Sequence, residues 1–462
     1  MRIFCISLAL PLVCGVALSV FAADRVFTPY ASVKPVLDQP SDLLPAELRN
    51  PNEAKWSAWS QRQDKAIRAR LQEGDLDSMV NLLLYGTSFT KQPRIKLEAL
   101  TEASKAGILR ARVDDLVAGL RSPGDNERLI FLNDLLRSQG IDPSSPGETG
   151  VFIYNNLGRV IQEIGTLAKR AEEAKRLTQP AQPDAAVDPS AIFNWRPGLF
   201  RDRGVSLDTG IFPNFSIEQA LRDLKNRGVL REGQVARVAV IGPGLDFIDK
   251  NEDASYDYYP QQTLQPFALY DSLVRLGLAK ANAVSMSIFD ISSRVIDHIQ
   301  RARERARMNV PNTGYVIQLP RQVAPAWPPD LIAYWRSLGD RVGTEVTPIP
   351  TPTAFQGLET RAVRIRPDVV LTLHPVDLNI VLERMNLAEA DRFDLIVATN
   401  IFIYYDAFER SLALENAGAM LKRGDLLLTN DRLPEVPGGS MRLDGVTEVQ
   451  YNHDSIGRYR KR

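Results

Sequence analysis

Cysteine and histidine are scarce in this sequence. Of its 462 residues only two are cysteines, Cys5 and Cys14, and both lie in the first 22 positions. The chain beyond them has no disulfide, no thiol nucleophile and no cysteine ligand for a metal. The three histidines, His298, His374 and His453, argue against a histidine-based zinc site. We therefore expect no metal centre.

Net charge is absent as well. Lys+Arg and Asp+Glu both number 56, so no overall field attracts DNA, RNA or an anionic membrane. Two segments are densely basic, residues 301–307 and 458–462. We interpret the first as a solvated helix face and the second as a solubilising tail, and we expect no nucleic-acid partner.

A long apolar run occurs at the start of the chain. It follows Arg2 and ends at Ala22, a pattern typical of a secretory signal peptide. An uncleaved membrane anchor is the alternative, because about 20 apolar residues can span a bilayer. Pro11 and Gly15 in the run favour cleavage. We expect a signal peptide at 1–22, an exported protein that is periplasmic or secreted, and no stable membrane span after cleavage.

Residues 24–176 are helical in character. The spacing places Trp56, Trp59, Ile67 and Leu71 on one helix face. Later stretches show similar helical spacing, but no sequence repeat of fixed length. The pattern predicts an all-α domain of roughly six helices. It contains no catalytic constellation, so packing against the next domain or binding a protein partner is its expected use.

A Pro- and Ala-rich linker at 177–199 precedes a second domain at 200–462. In that domain buried strands alternate with helices, which predicts a Rossmann-like, doubly wound and mostly parallel sheet. Insertions are expected near 249–265 and 312–358. An antiparallel hairpin is expected at the C-terminus. Ser216 and Gln219 predict a capping box at the start of a helix.

The apolar strand that ends at Ile241 is followed by Gly242, Pro243 and Gly244. Glycine at this point lets the backbone come close to a ligand that a side chain would block. Such a loop at the end of a parallel strand is typical of nucleotide-type cofactor sites. A simple turn explains the same residues.

Four motifs occur in the order found in one family, and residues from about 200 to 462 resemble the class I S-adenosylmethionine-dependent methyltransferases. The glycine loop is the first motif, Asp290 at a strand end the second, FDLIVATN at 393–400 the third, and KRGDLLL at 422–428 the fourth. The longer run FDLIVATNIFIYYD is similar to the chemoreceptor glutamate methyltransferases. The resemblance implies S-adenosylmethionine as cofactor and methyl transfer to an unknown acceptor. It implies cofactor contacts from Gly242, Pro243, Gly244, Asp246, Asp290, Asp377 and Asn400, and catalytic roles in orienting the acceptor for Asn400 and Tyr404.

Each of these residues also has a plainer interpretation. The alternative role of Asp290 is to cap the helix that follows it, and Asp377 is equally suited to lie in a surface loop. Asn400 would satisfy loop backbone groups. Four aromatic residues would form an apolar wall for the acceptor, or alternatively would simply pack; they are Tyr256, Tyr258, Tyr259 and Trp327.

Some positions depart from the family pattern. Val240 stands where many members have an acidic residue, and Asp246 stands at the third glycine position. Asp290 follows Gly242 by 48 residues, far more than the roughly 20 of a compact unit. Export would also remove the enzyme from a cofactor made in the cytoplasm, which supports a non-catalytic binding or scaffolding protein as the alternative. A nicotinamide-dependent oxidoreductase is disfavoured, because Phe247 replaces the last glycine of its motif.

Overall fold

The structure is a computed structural model of the chain. It describes residues 24–40, 43–85, 95, 101, 103–159, 210–245, 259–308, 314–323, 326–351, 357–449 and 455–462. The expected signal peptide, the expected linker and Asp246 lie outside the described residues, so what was expected of them stays a prediction.

Helices and strands alternate along much of the described chain. The helices are α1 (Tyr30–Leu37), α2 (Glu53–Tyr85), α3 (Lys105–Arg121), α4 (Glu127–Ser138), α5 (146–159), α6 (Ile211–Asn226), α7 (Gln265–Arg275), α8 (Ser293–Met308), α9 (Pro329–Ser337), α10 (Pro367–Leu371) and α11 (Ala407–Met420). The strands are β1 (Arg25–Phe27), β2 (Arg237–Ile241), β3 (Ser285–Asp290), β4 (Val316–Gln322), β5 (Gly343–Val346), β6 (Leu358–Ile365), β7 (Leu373–Asp377), β8 (Glu383–Met385), β9 (Phe393–Ala398), β10 (Leu421–Thr429), β11 (Met441–Glu448) and β12 (Ser455–Lys461).

A seven-stranded sheet with the order β11-β12-β10-β9-β2-β3-β7 organises the C-terminal half. Five neighbouring strands are parallel, in the order β10, β9, β2, β3 and β7. Strand β12 is antiparallel to both β10 and β11. The chain starts in the middle at β2, continues to β3 and β7 on one side, and then crosses to β9 and β10 on the other. A mostly parallel, doubly wound α/β sheet was predicted, and that fold class is confirmed.

The central strands are buried on both faces, which explains their continuous apolar sequences. Every residue of β9 is buried. On β2, Val238 and Val240 face a first core that includes α6, α7 and α8. Ala239 and Ile241 face a second core that includes α1, α2 and α11. The sheet therefore lies between two helical layers.

The N-terminal residues contribute to the second core. Strand β1 pairs antiparallel with β8. Trp56 and Trp59 of α2 stack with ring centroids 5.4 Å apart, and Trp59 meets Phe408 of α11 edge to face at 5.5 Å. The indole Nε1 of Trp56 donates a hydrogen bond to the carbonyl of Thr28 at 2.7 Å. Residues assigned by sequence to the helical domain thus share a core with the sheet, and the domain boundary stays a prediction.

A third core lies within the helical region. It joins the C-terminal part of α2, from Met79 onward, with α3, α4 and α5. Asn126 caps α4 by accepting hydrogen bonds from the backbone N–H groups of Arg128 and Leu129. No helix of the described residues is long and apolar enough to cross a membrane.

Part of the segment expected as an insertion at 312–358, together with the residues up to Ile365, forms a separate three-stranded sheet. Strands β4, β6 and β5 form it in that order, with antiparallel pairing. Trp335 of α9 is fully buried against it and donates from Nε1 to the carbonyl of Leu319 at 2.9 Å. Buried residues of this small sheet and of α9 form part of the first core.

The expected capping box at Ser216 was wrong. Helix α6 begins five residues earlier, at Ile211, and Ser216 is buried inside it. Phe212 and Phe215 belong to the first core. Burial of these two rings stabilises the helical turn that precedes Ser216. This tertiary packing outweighs the local preference of Ser216 for the first position of a helix.

Candidate functional site

The candidate site lies where β2 and its two neighbours end. Ile241, the last residue of β2, is in register with Phe289 of β3 and with Ala398 of β9. Since the three strands are parallel, the residues that follow them emerge at one edge of the sheet. Connections leave β2 toward β3 on one side and return to β9 on the other, so this edge is the switch point where ligands bind in open α/β sheets.

The glycine loop makes a tight turn at this edge. Gly242 and Gly244 have φ values of 63° and 72°, in the left-handed region that favours glycine. The N–H of Gly242 donates to the carbonyl of Phe289 at 2.8 Å. A Cβ atom at Gly242 would collide with the side chain of Ile401. Pro243, between the glycines, is buried. The close approach that Gly242 permits is therefore made by Ile401.

Asp290 ends β3 next to this loop. Only 7% of it is exposed, and burial raises the pKa of its carboxyl from 3.8 to about 7. The backbone N–H of Ser292 donates to its Oδ1 at 2.8 Å, and the N–H of Ile291 also favours the ionised form. Asp290 therefore supports the turn that leads into α8. An ionised carboxylate accepts about four hydrogen bonds, so capacity remains for further donors.

Asp377 lies beside Asp290, at the paired position of β7. It is not a free surface carboxylate. Arg68 approaches its Oδ1 at 2.8 Å and Arg25 its Oδ2 at 3.2 Å. Its charge is one of the influences that raise the pKa of Asp290. The implied adenine contact of Asp377 stays a prediction.

Asn400 follows β9 in a strained conformation. Its φ is 58°, and no other non-glycine residue in the described ranges has a positive φ. Asn400 is exposed. Its N–H donates to Oδ1 of Asn430 at 2.8 Å, and Nδ2 of Asn430 donates back to Oδ1 of Asn400 at 2.8 Å. Strained polar residues at strand ends are typical of binding sites. The Nδ2 group of Asn400 has no partner among the described residues and can donate to a ligand.

Tyr404 is placed close to this edge by a short 3-10 turn, Phe402–Tyr404. Its side chain is buried, and its carbonyl accepts a hydrogen bond from Nη2 of Arg70 at 2.9 Å. The next residue, Tyr405, is fully buried, and burial raises the pKa of its hydroxyl. The turn is held by Asp431, whose Oδ2 accepts from the N–H of Phe402 at 2.9 Å.

Helix α2 covers this edge with charged side chains. Nη1 of Arg68 contacts Asp377 and also lies 3.5 Å from the carbonyl of Ile291. Asp64, one turn before, forms an ion pair with Arg68 at 3.0 Å and accepts a hydrogen bond from Nδ2 of Asn379 at 2.8 Å. The helix therefore meets the residues that follow β3 and β7.

Two further contacts hold α2 over the sheet. Asp75 pairs with Arg294 of α8 at 2.7 Å, and both are largely buried. Gln63 donates to Oε1 of Glu409 at 2.6 Å. Burial raises the pKa of Glu409 to about 7. Because these contacts lie along several turns, they hold α2 over the residues that follow β3 and β7.

The proposed aromatic wall is not assembled at this edge by the residues that the structure describes. Tyr256 and Tyr258 lie outside those residues. Tyr259 is buried with the guanidinium of Arg128 5.3 Å from its ring centroid. Trp327 is buried in the first core and meets the ring of Phe212 at 5.5 Å. Packing is the observed role of Trp327.

Sequence reasoning did not single out several residues at this edge. Thr399 accepts a hydrogen bond from Nε2 of Gln265 at 2.7 Å in a buried position. Asn430 and Asp431 follow β10 as Asn400 follows β9, so the same strand-end rule would have found them. Within the described residues, no three His, Cys, Asp or Glu side chains are arranged to hold a metal ion.

Comparison with known proteins gives only distant similarity. No family model and no curated protein matches the chain. Among solved structures, the N-methyltransferase NodS from Bradyrhizobium japonicum WM9 is 12% identical with a TM-score of 0.25, covering 53% of this chain and 94% of that chain. Magnesium protoporphyrin IX methyltransferase (ChlM) from Synechocystis PCC 6803 with bound SAM is 10% identical with a TM-score of 0.25, covering 66% and 96%. MtNAS in complex with MTA and tNA is 10% identical with a TM-score of 0.24, covering 87% and 98%. At this level the similarities indicate no activity, so function must be inferred from the site itself.

Proposed function

We propose that the chain binds S-adenosylmethionine at the carboxyl edge of β2, β3 and β9 and transfers its methyl group to an acceptor not yet identified. The observation that supports this most is the placement of three features at one switch point. These are the Gly242 turn, the buried carboxyl of Asp290 and the exposed amide of Asn400. Open α/β sheets bind nucleotide-type ligands at this position.

The residues present fit the cofactor's chemistry. S-adenosylmethionine carries two neighbouring ribose hydroxyls, and the carboxylate of Asp290 retains acceptor capacity for such donors. Ile401 packs over Gly242 and offers an apolar surface at the same turn. Asn400 offers amide donors on the β9 side. Asp290 and Asn400 flank the end of β2, one on each side.

Methyl transfer requires mainly positioning and exclusion of water. When bound, S-adenosylmethionine supplies a methyl group already activated by its sulfonium, for in-line displacement. Asp290 would hold the ribose, and the Nδ2 group of Asn400 would orient the acceptor. The contacts of Arg68 and Arg70 with Asp377 and with the Tyr404 carbonyl keep α2 over the site and restrict access of water.

Two finer proposals rest on sequence alone. The similarity of residues 393–406 to the chemoreceptor glutamate methyltransferases suggests that the segment around Asn400 and Tyr404 contacts the acceptor. The N-terminal pattern suggests export. Intact-mass measurement on the protein from its native host tests export: loss of about 22 residues agrees with the cleavage pattern, and a full-length mass contradicts it.

Transfer of label from methyl-tritiated S-adenosylmethionine tests the proposed function. The purified protein is incubated with extracellular, periplasmic and cytoplasmic fractions of its host, and label is followed in protein and small-molecule pools. We expect wild type to label one pool and Asn400→Ala to label it more slowly at saturating cofactor. Glu53→Gln, on the exposed start of α2, is the control and should match wild type. Binding of the cofactor without transfer to any fraction would instead support a non-catalytic binding protein.

A further inference from the structure

A pocket of about 340 Å³ lies along the outer edge of the sheet. Its floor includes Ser287 of β3 and His374 of β7, and its far wall includes Phe393, the first residue of β9. Phe393 lies five residues before the carboxyl end of β9, or about 17 Å along an extended strand. This wall lies at the opposite end of β9 from Asn400, whereas Pro375 and Val376, which also line the pocket, immediately precede Asp377 at the end of β7.

One wall of the pocket is a stripe of helix α8. The lining residues Gln300, Arg303, Glu304 and Arg307 follow the spacing of three and four that places side chains on one helix face. Arg303 is anchored by a hydrogen bond from its Nη1 to the carbonyl of Leu371 at 2.9 Å. The anchored guanidinium keeps a positive charge at the pocket.

Within the part of the chain that the structure describes, no ion pair neutralises the positive charges in this pocket. Among the described residues, neither Arg303 nor Arg307 has a carboxylate oxygen within 4.0 Å, and Glu304, which also lines the pocket, pairs with neither. Burial, and after it the positive charge of Arg307, lowers the pKa of Arg303. They also contribute, after burial, to the lowered pKa of the half-buried His374. An anion placed between these groups would relieve the repulsion.

The opposite wall is apolar. Met385 and Phe393 are buried, and Leu387 packs against the second core. Together with Pro375 and Val376 they give the pocket an apolar side facing its arginines. Pockets with an apolar lining and few polar groups bind small molecules whose charged group fixes their orientation.

We propose that this pocket is a binding site for a small amphiphilic anion, a molecule with one anionic group held by Arg303 and Arg307 and an apolar body against Met385, Leu387 and Phe393. Gln300 and His374 add hydrogen-bonding groups beside the anion. Occupation of this pocket does not require S-adenosylmethionine.

Two dyes that share their rings and differ by one sulfonate group test this proposal without cofactor in the assay. The anionic probe is 8-anilino-1-naphthalenesulfonate, and the neutral probe is N-phenyl-1-naphthylamine, which has the same rings and no sulfonate. Fluorescence titration gives both dissociation constants for wild type and variants. Arg307→Gln removes a charge from the lining of the pocket. Arg301→Gln removes the same charge from an exposed position of α8 outside the lining and is the matched control.

We expect Arg307→Gln to weaken binding of the sulfonate about ten-fold, or about 1.4 kcal/mol, and to leave the neutral dye unchanged. Arg301→Gln should leave both constants unchanged. Arg303→Gln should act like Arg307→Gln, and the ring resonances of His374 should shift on adding the sulfonate to wild type. Equal losses in Arg307→Gln and Arg301→Gln, equal losses for the two dyes, or no binding of the sulfonate by wild type would overturn the proposal.

Discussion

Replacing Asp290 by asparagine should change stability and cofactor affinity in opposite directions. The folded protein raises the pKa of this carboxyl from 3.8 to about 7, so the folded state holds the proton more tightly than the unfolded state. The stability that this gives is complete below the unfolded pKa and is lost as the pH rises through about 7. The neutral amide of the Asp290→Asn variant suffers no such loss. Between pH 5 and pH 8 the advantage of the variant should grow by about 2–3 kcal/mol, at about 1.36 kcal/mol for each pH unit up to the folded pKa.

Thermal unfolding at pH 5 and pH 8, followed by circular dichroism, measures this change. About 2–3 kcal/mol corresponds to roughly 5–10 °C in the midpoint of a medium-sized domain. Asp425→Asn is the control: burial raises the pKa of Asp425 to about 6, but it lies in β10 far from the strand end. Asp425→Asn should also gain stability at high pH while keeping its affinity for S-adenosylmethionine. Asp290→Asn should lose about ten-fold or more of that affinity. Unchanged affinity in Asp290→Asn, or a midpoint difference that does not depend on pH, would refute the reasoning.

Further predictions concern the strand ends and α2. Gly242→Ala should lower the free energy of unfolding by more than about 2 kcal/mol, because it adds a collision with Ile401 to the cost of a left-handed alanine. Gly228→Ala, at a φ of 70° with open space around it, should cost only about 1 kcal/mol in the same urea titration; equal costs would contradict the contact with Ile401. Asn400→Gly should be more stable than Asn400→Ala by about 1 kcal/mol, because glycine adopts the φ of 58° without strain, and a less stable glycine variant would count against that strain. Arg68→Ala should speed amide hydrogen exchange in α2 between residues 64 and 75, whereas Arg62→Ala, whose partner Glu47 is exposed, should not. Cofactor affinity should fall about ten-fold per pH unit below about 7 as Asp290 takes up its proton, and calorimetry between pH 5 and pH 8 would show a flat profile if Asp290 were not at the site.

The parallel strands could be predicted because burial on both faces makes their sequences continuously apolar. Phe393–Ala398 shows this clearly, since all six residues are buried. The positions of Gly242, Asp290 and Asn400 at one edge then follow from parallel pairing. The predicted start of α6 was wrong because burial of Phe212 and Phe215 outweighed the preference of Ser216 for a helix N-cap.

The cover over the site could not be predicted from local patterns. Arg68 meets Asp377 across 309 positions of sequence, and no local pattern connects residues so far apart. Arg70 likewise reaches the carbonyl of Tyr404 from a different part of the chain. Asn430 was within reach of sequence reasoning, because it follows a buried strand just as Asn400 does.

Isothermal titration of the wild-type protein with S-adenosylmethionine, beside an identical titration with NAD, tests the central claim most directly. We expect saturable binding of S-adenosylmethionine to one site per chain and no binding of NAD. Absence of heat with both ligands over a range of temperatures, or binding of NAD alone, would contradict a cofactor site at the Gly242 edge.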